Sequence, residues 1–354
     1  MNPLQQTLGQ AIEAQKADFA QAIVDEQWVR NPAFPVRYGE VGHAKCVQDV
    51  KYNLAYLAQA MIANSPALFA TYIDWVKVLF NGLNIPNGEL VESLEITRAL
   101  LHQRFPSAVA IVSNFIDLGL QRLASAPESI PSFFAEADQL SALARQYLDS
   151  MLCGERSVGS RLILDAVAQG ARIKDIYLHV FQPSQYEIGR LWQMNQITVA
   201  QEHYATAATQ LIMSQLYAHI FNTARNGRRL IATGVGGELH EIGLRMVADF
   251  FEMEGWDTYY LGSNTPAATI VQTLLAHKAD VLAISVTMTF HIQLVADLIT
   301  QVRTVDPGRQ IKIITGGYPF NIDPDLWQHV GADGYAANAE QAIATAYTLL
   351  GVQV

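Results

Sequence analysis

Two pairs of side chains in this sequence have the types and spacing to do chemistry. The first is Glu238 and His240, within Gly234-Val-Gly-Gly-Glu238-Leu239-His240-Glu241-Ile242-Gly243. Two residues apart, the carboxylate can accept a hydrogen bond from one ring nitrogen of His240 and leave the other nitrogen to a metal. Carboxylates in that outer position fix the tautomer and direction of a ligating imidazole. A histidine by itself is a weak signal, since most are structural or solvated, so its company is what matters. Gly243, one turn onward, would let the start of a helix come close to a flat ligand, with Leu239, Glu241 and Ile242 as neighbouring contacts. The second pair is Glu202-His203, which follows Trp192 and so places an indole, a carboxylate and an imidazole within one short stretch.

The elements that must hold these groups are readable from the period of the apolar residues. From Arg228 onward short apolar runs at Leu230–Val235, Thr258–Leu261, Val281–Val286, Ile311–Thr315 and about Gly334–Ala336 alternate with helical stretches. That alternation predicts a parallel sheet covered on both faces, in the flavodoxin-like (Rossmann-type) order 2-1-3-4-5. Ligands of such sheets bind beyond the strand C-termini at the switch between the first and third strands. The loop with Glu238 and His240 leaves the first strand, and the third delivers Ser285 and Thr287. The fourth ends in Gly316-Gly317 before Tyr318, which leaves bare backbone for a long, thin group. A dinucleotide fingerprint is excluded by spacing, because Leu239 stands where its third glycine is required.

Upstream, residues 131–226 read as a four-helix bundle with helices at roughly 134–152, 156–169, 173–192 and 199–223. Thr198-Val-Ala-Gln201 is a capping box, so Glu202 and His203 belong to the first turns of the last helix, close to Trp192 at the end of the previous one. Ala205, Ala207 and Ala208 keep that helix slim. Residues 1–130 predict an all-α domain of five or six helices. Val47, Val50, Leu54, Leu57 and Met61 form one stripe and Leu68, Tyr72, Trp75 and Leu79 another, with Ser65-Pro66 as a helix start and Gly82 as a stop. The proline- and serine-rich segment 125–132 is the expected linker. The third domain is then 227–354.

Composition narrows the function classes. A formal net charge of -10 without a basic run argues against direct DNA binding. Cys46 and Cys153 lie far apart, which suits a reducing cytoplasm, and the N-terminus has no signal-peptide pattern. No apolar run is long enough to span a bilayer.

Glu238-x-His240-x-x-Gly243, then Ser285-x-Thr287, then Gly316-Gly317 resembles the Asp-x-His-x-x-Gly / Ser-x-Leu / Gly-Gly signature of cobalamin-binding domains. Glu238 for Asp keeps the carboxylate and Thr287 for Leu keeps a small branched side chain. The resemblance implies that His240 is the lower axial ligand of cobalt and that the nucleotide tail threads beside the sheet. Trp192, nine residues, then Glu202-His203 resembles the Trp-x9-Glu-His motif of CarH-type cobalamin photoreceptors, over about residues 135–354. In that family the tryptophan and its neighbours cover the adenosyl group, light breaks the cobalt–carbon bond, and a cap histidine can then ligate. That would be His203, with Glu202 against the adenosyl group.

The N-terminal part departs from the CarH pattern, which has a winged helix there. It is instead similar to the globin-like sensor domains joined to cobalamin domains in photocobilins, on Arg37-Tyr38-Gly39, Cys46-x2-Asp49-Val-x-Tyr52 and Tyr72-x2-Trp75. The resemblance implies a bilin such as biliverdin near Arg37, Tyr38, His43, Cys46 and Tyr52. Cys46 as a thioether anchor and His43 as a haem ligand are lesser readings. The expected function is therefore light sensing through adenosylcobalamin rather than catalysis, with a signalling partner or a homo-oligomer as output. The alternative is a corrinoid protein that carries methyl groups between methyltransferases. A mutase subunit is disfavoured because no TIM barrel is present to hold the substrate.

Overall fold

A computed structural model describes residues 2–134, 139–221, 223–308 and 310–352. The chain forms two compact units. One comprises the residues up to Glu128 together with Met288–Gln293; the other comprises Ser129–Thr287 and the chain from Leu294 onward.

The first unit contains α1 (Pro3–Arg30), α2 (Phe34–Ile62), α3 (Pro66–Gly82), α4 (Asn87–Arg104) and α5 (Val109–Ser125). Its core is built from the stripes that the spacing predicts, with Leu54, Leu57 and Met61 of α2 buried alongside Ile12, Phe19 and Ile23 of α1 and Leu68, Phe69 and Ile73 of α3. Two local expectations change. Ser65 precedes α3 with extended backbone but its side chain makes no capping hydrogen bond. Gly82 is still helical, and the chain leaves α3 through Leu83 and Asn84, the latter in the left-handed region at φ 57°. Asparagine tolerates that region because its short polar side chain bonds locally. α2 is two helices joined at Gly39 (φ 62°), so Arg37 and Tyr38 precede the kink while Cys46, Asp49 and Tyr52 follow it.

The second unit opens with the helical bundle: α6 (Gln139–Leu152), α7 (Arg156–Ala168), α8 (Ile173–Ile176), a π-helical turn (Tyr177–Phe181), α9 (Gln182–Gln193), α10 (Val199–Gln215) and α11 (Tyr217–Ile220). Residues 135–138 of the expected first bundle helix lie outside the described residues. The π turn sits just before Pro183, which has no N–H to give to the previous turn. Tyr147, Tyr177, Phe181, Ile212 and Met213 fill the bundle core, and Met246 and Phe250 of the next helix pack into the same cluster. Bundle and sheet therefore share a core, rather than standing as the separate segments 131–226 and 227–354.

The sheet contains β1 (Arg229–Thr233), β2 (Asp257–Gly262), β3 (Val281–Ser285), β4 (Lys312–Gly316) and β5 (Gly334–Ala336), all parallel in the order β2-β1-β3-β4-β5. α12 (Ile242–Met253), α13 (Ala267–His277), α14 (Ile292–Val305), α15 (Tyr318–Ile322), α16 (Leu326–Val330) and α17 (Ala339–Leu349) follow the strands. β1, β3 and β4 are continuous apolar runs because helices cover both of their faces; β2, at the edge, is only half-buried along its length.

α12 is tied to the bundle by buried polar contacts. The Tyr177 hydroxyl donates to Asp249 Oδ2 at 2.7 Å, and Arg245 donates to the Gln210 carbonyl at 3.0 Å and to Ser214 Oγ at 2.7 Å. Burial pushes the Asp249 carboxyl up to about 6, against the opposing pull of the Tyr177 bond and the Arg245 charge; Tyr217 and Glu252 also face it. A carboxyl raised in the folded state favours folding most below its unfolded value near 3.8, and that contribution is lost as pH rises through about 6. Asp249→Asn is therefore expected to flatten the pH dependence of urea-unfolding stability across that window, removing on the order of 2–3 kcal/mol of slope. Parallel pH profiles for variant and parent would place the titration elsewhere.

Candidate functional site

Glu238 is the fixed point of the candidate site. Its side chain is 0% exposed, and one oxygen, Oε1, accepts from the Leu239 and His240 backbone N–H groups at 3.0 Å each and lies 2.6 Å from His240 Nδ1. The other, Oε2, accepts from the Thr287 N–H at 2.8 Å, tying the β1 loop to the β3 loop. A buried carboxylate needs such partners, since an unsatisfied one is costly to bury. His240 is held through Nδ1, so Nε2 is the nitrogen left for a ligand, and the side chain is 55% exposed.

Two residues outside the sequence-derived set hold this loop. Asn264 Oδ1 accepts from the Gly237 N–H at 2.8 Å, and Ser263 Oγ donates to the His240 carbonyl at 2.9 Å. Both follow β2, which neighbours β1 only through the sheet order, so no local pattern around His240 points to them. Glu241, expected beside the ligand, turns elsewhere: Gln210 Nε2 donates to its Oε1 at 2.7 Å and the Tyr260 hydroxyl approaches its Oε2 at 3.4 Å. Ile242 packs against the bundle core. Leu239 (77% exposed) and Tyr318 (50% exposed) remain as large open side chains at the same end of the sheet.

The glycines divide into two groups. A Cβ on Gly243 would meet nothing within 4 Å, so the space over the start of α12 is open. Gly316 and Gly317 are different: a Cβ would stand 2.8 Å from the Ala336 carbonyl and 2.0 Å from that of Val286 respectively. Their first duty is close backbone approach of β4 to β5 and to the β3 loop that carries Ser285 and Thr287. An exposed imidazole with one nitrogen secured, open space above a glycine and uncovered apolar side chains together fit a flat metal macrocycle that brings its own equatorial ligands.

α10 carries the other half. Its capping box is formed, with Thr198 Oγ1 accepting from the Gln201 N–H and Gln201 Oε1 accepting from the Thr198 N–H. Glu202 Oε2 lies 3.0 Å from His203 Nδ1, and the His203 side chain is 75% exposed. Seven residues on, Gln210 is the residue that meets Glu241, next in sequence to His240. A separation of seven is two turns, so His203 and Gln210 share one face of α10, about 10 Å apart along the axis. The face that docks beside the His240 loop is thus the face that carries Glu202, His203 and Thr206. Trp192 is half-buried in the last turn of α9, and its carbonyl accepts from the Asn195 N–H at 2.9 Å where the chain turns.

The five N-terminal candidates do not converge on one point. Arg37 is ion-paired with Glu89 at 2.8 Å, and the Tyr38 hydroxyl donates to the same carboxylate, with burial first and Glu89 next pushing Tyr38 up to about 12. His43 lies 3.1 Å from Asp25 and edge-on to Trp28. Cys46 is half-buried and its thiol is pushed up to about 11, mainly by burial, so it stays protonated and a weak nucleophile. Tyr52 lies tilted against Phe290. The more concentrated chemistry is one the candidate set omitted: Asp49, whose carboxyl burial raises, near Tyr56 and Tyr72 stacked at 3.8 Å, with Trp75 beyond. The i, i+3 step from Cys46 to Asp49 was the available signal.

Comparison with known proteins agrees with this geometry. Residues 228–344 match a family model described as a B12 binding domain, and residues 143–217 match a second B12 binding domain model. The chain is a cobalamin-binding protein with a helical bundle and a Rossmann-like sheet. Where the sequence pointed to a globin-like sensor domain, residues 7–151 match the family of phycobilisome proteins. The chain is 26% identical over 166 residues to dimethylamine corrinoid protein 3 of Methanosarcina acetivorans, covering 46% of this chain and 76% of that one. It is 30% identical over 117 residues to dimethylamine corrinoid protein 2 of the same organism, covering 33% of this chain and about half (53%) of that one. The structure of the Methanosarcina barkeri monomethylamine corrinoid protein superposes with a TM-score of 0.53 at 21% identity, over 59% of this chain and 98% of the other. That likeness is one of fold. No helix among the described residues is long and apolar enough to cross a membrane.

Proposed function

We propose that the chain is a cobalamin-dependent light sensor in which α10 is the moving part. The supporting observation is the shared face of His203 and Gln210, which sets an exposed imidazole two turns above the contact with the His240 loop. When bound, adenosylcobalamin supplies a cobalt–carbon bond that light breaks. His240 then holds the cofactor from one side, oriented by Glu238; Trp192 and Glu202 shield the other; and His203, tethered only by Glu202, swings into the space that the adenosyl group leaves. The match of residues 7–151 to phycobilisome proteins supports a light-related role for the first unit and keeps a bilin such as biliverdin, near Asp49 and Tyr72, as its second chromophore. A homo-oligomer or a signalling protein in the cytoplasm would receive the output, with no part for direct DNA binding.

A second reading is favoured by the curated relatives. They are corrinoid proteins named for dimethylamine, and over the part they share they back a methyl carrier serving a methyltransferase better than any of them backs light. They leave more than half of this chain uncovered. A carrier must open its upper face to substrates, and a histidine poised there works against that.

The two readings part on one side chain. Free adenosylcobalamin is itself photolabile, so bleaching alone decides nothing. The parent, loaded in the dark and illuminated, is expected to reach a stable absorbance spectrum that His203→Ala does not reach, while dark binding stays nearly unchanged. Identical illuminated spectra would remove His203 from the mechanism and leave the carrier as the better account.

A further inference from the structure

The β3 loop leads from the candidate cobalamin site straight into the first unit. Thr287 gives its N–H to Glu238 Oε2, on the carboxylate that holds His240. The next residue, Met288, begins the segment Met288–Gln293 that belongs to the first unit. Within that unit the Tyr56 hydroxyl lies 3.9 Å from Met288 Sδ, and the Phe290 ring stands edge-on to Tyr56 at 5.5 Å and tilted against Tyr52 at 5.9 Å. Tyr56 stacks on Tyr72 at 3.8 Å. Thr289 and His291 on either side of Phe290 are buried, and a short 3-10 turn, Thr289–His291, makes the segment stiff.

We propose that Met288–His291 is a lever that couples the position of His240 to the Tyr52–Tyr56–Tyr72 stack. This rests on the cobalamin reading of His240. Glu238 is fully buried and binds His240 with one oxygen and Thr287 with the other, so a pull on the imidazole that shifts the carboxylate displaces the Thr287 amide. The displacement reaches Phe290 through three bonded residues, too few and too well packed to absorb it. Aromatic pairs respond to sub-ångström shifts because their preferred geometries are discrete. Discrete packing of this kind is how a small change at one site becomes a switch at another.

The test places 3-fluorotyrosine singly at position 52 or 72 of the full chain and follows the fluorine resonance as hydroxocobalamin is added. In the parent both resonances are expected to shift as the visible spectrum reports uptake with His240 bound. In Phe290→Ala the induced shift is lost while uptake and spectrum stay those of the parent; in Phe290→Tyr, which keeps the ring, the shift remains. Shifts that persist in Phe290→Ala, or a parent that binds through His240 without shifting either resonance, overturn the lever. A parent with an unchanged visible spectrum overturns the cobalamin reading and the lever with it, and the spectrum tells that outcome from the other two.

Discussion

His240→Ala is expected to fold like the parent and to hold cobalamin more weakly by at least the roughly 10- to 100-fold that loss of an outer-sphere partner costs a metal site. The side chain is more than half exposed and packs against little, so its removal takes away one hydrogen bond to Glu238 and leaves the rest of the loop intact. That bond contributes about 1–3 kcal/mol to the apoprotein, well short of unfolding it. What is retained should show the absorbance of cobalamin without a protein ligand below the ring. Glu238→Gln gives the contrasting result, because the carboxylate accepts from three backbone amides as well as facing the imidazole. It should lower apoprotein stability and cobalamin retention together. Equilibrium dialysis with a visible spectrum measures both variants, and a His240→Ala protein matching the parent in affinity and colour would end the lower-ligand assignment.

Gly317→Ala should be among the most damaging single substitutions in the chain. Gly317 lies at φ 97°, outside the range of ordinary residues, which alone costs about 1–3 kcal/mol. Its new methyl group would also stand 2.0 Å from the Val286 carbonyl, backbone that cannot rotate away. Together these predict a loss of about 4 kcal/mol or more in urea unfolding, at the extreme of point mutations. Gly243→Leu is the counterpart: nothing lies within 4 Å of its Cβ, so the apoprotein should unfold as the parent does while cobalamin affinity falls. If Gly243→Leu binds cobalamin normally, the open space over α12 is not where the macrocycle rests. If Gly317→Ala is stable, the β3 loop yields more readily than its packing implies.

The chain combines two kinds of similarity that do not point to the same use. Its cobalamin module is matched by methylamine corrinoid proteins, whereas residues 7–151 match phycobilisome proteins. A cofactor site defines what is held, and the surrounding residues define what is done with it. Trp192, Glu202 and His203 are those residues here, which is why the decisive experiment is on His203 rather than on the cofactor.

The sequence by itself determined the parts that are local. Five apolar runs spaced by helical stretches specify a parallel sheet because strands covered on both faces must be apolar throughout, and the observed order is the one expected of that pattern. Glu238 and His240 were legible as a pair because two residues of loop suffice to bring a carboxylate to an imidazole. The capping box that sets Glu202 and His203 in the first turn of α10 needs only four residues. Only the tertiary structure decided the rest, since those contacts join residues far apart in sequence. Ser263 and Asn264 reach the His240 loop because β2 lies beside β1, and Glu241 leaves the ligand side because α10 offers it Gln210. Asp249 meets Tyr177 because α12 shares the bundle core, and Phe290 leaves its own strand's unit to pack on Tyr52 and Tyr56. Each of these pairings is a polar or aromatic side chain finding a partner after the backbone has been placed. No periodicity marks such a choice in advance.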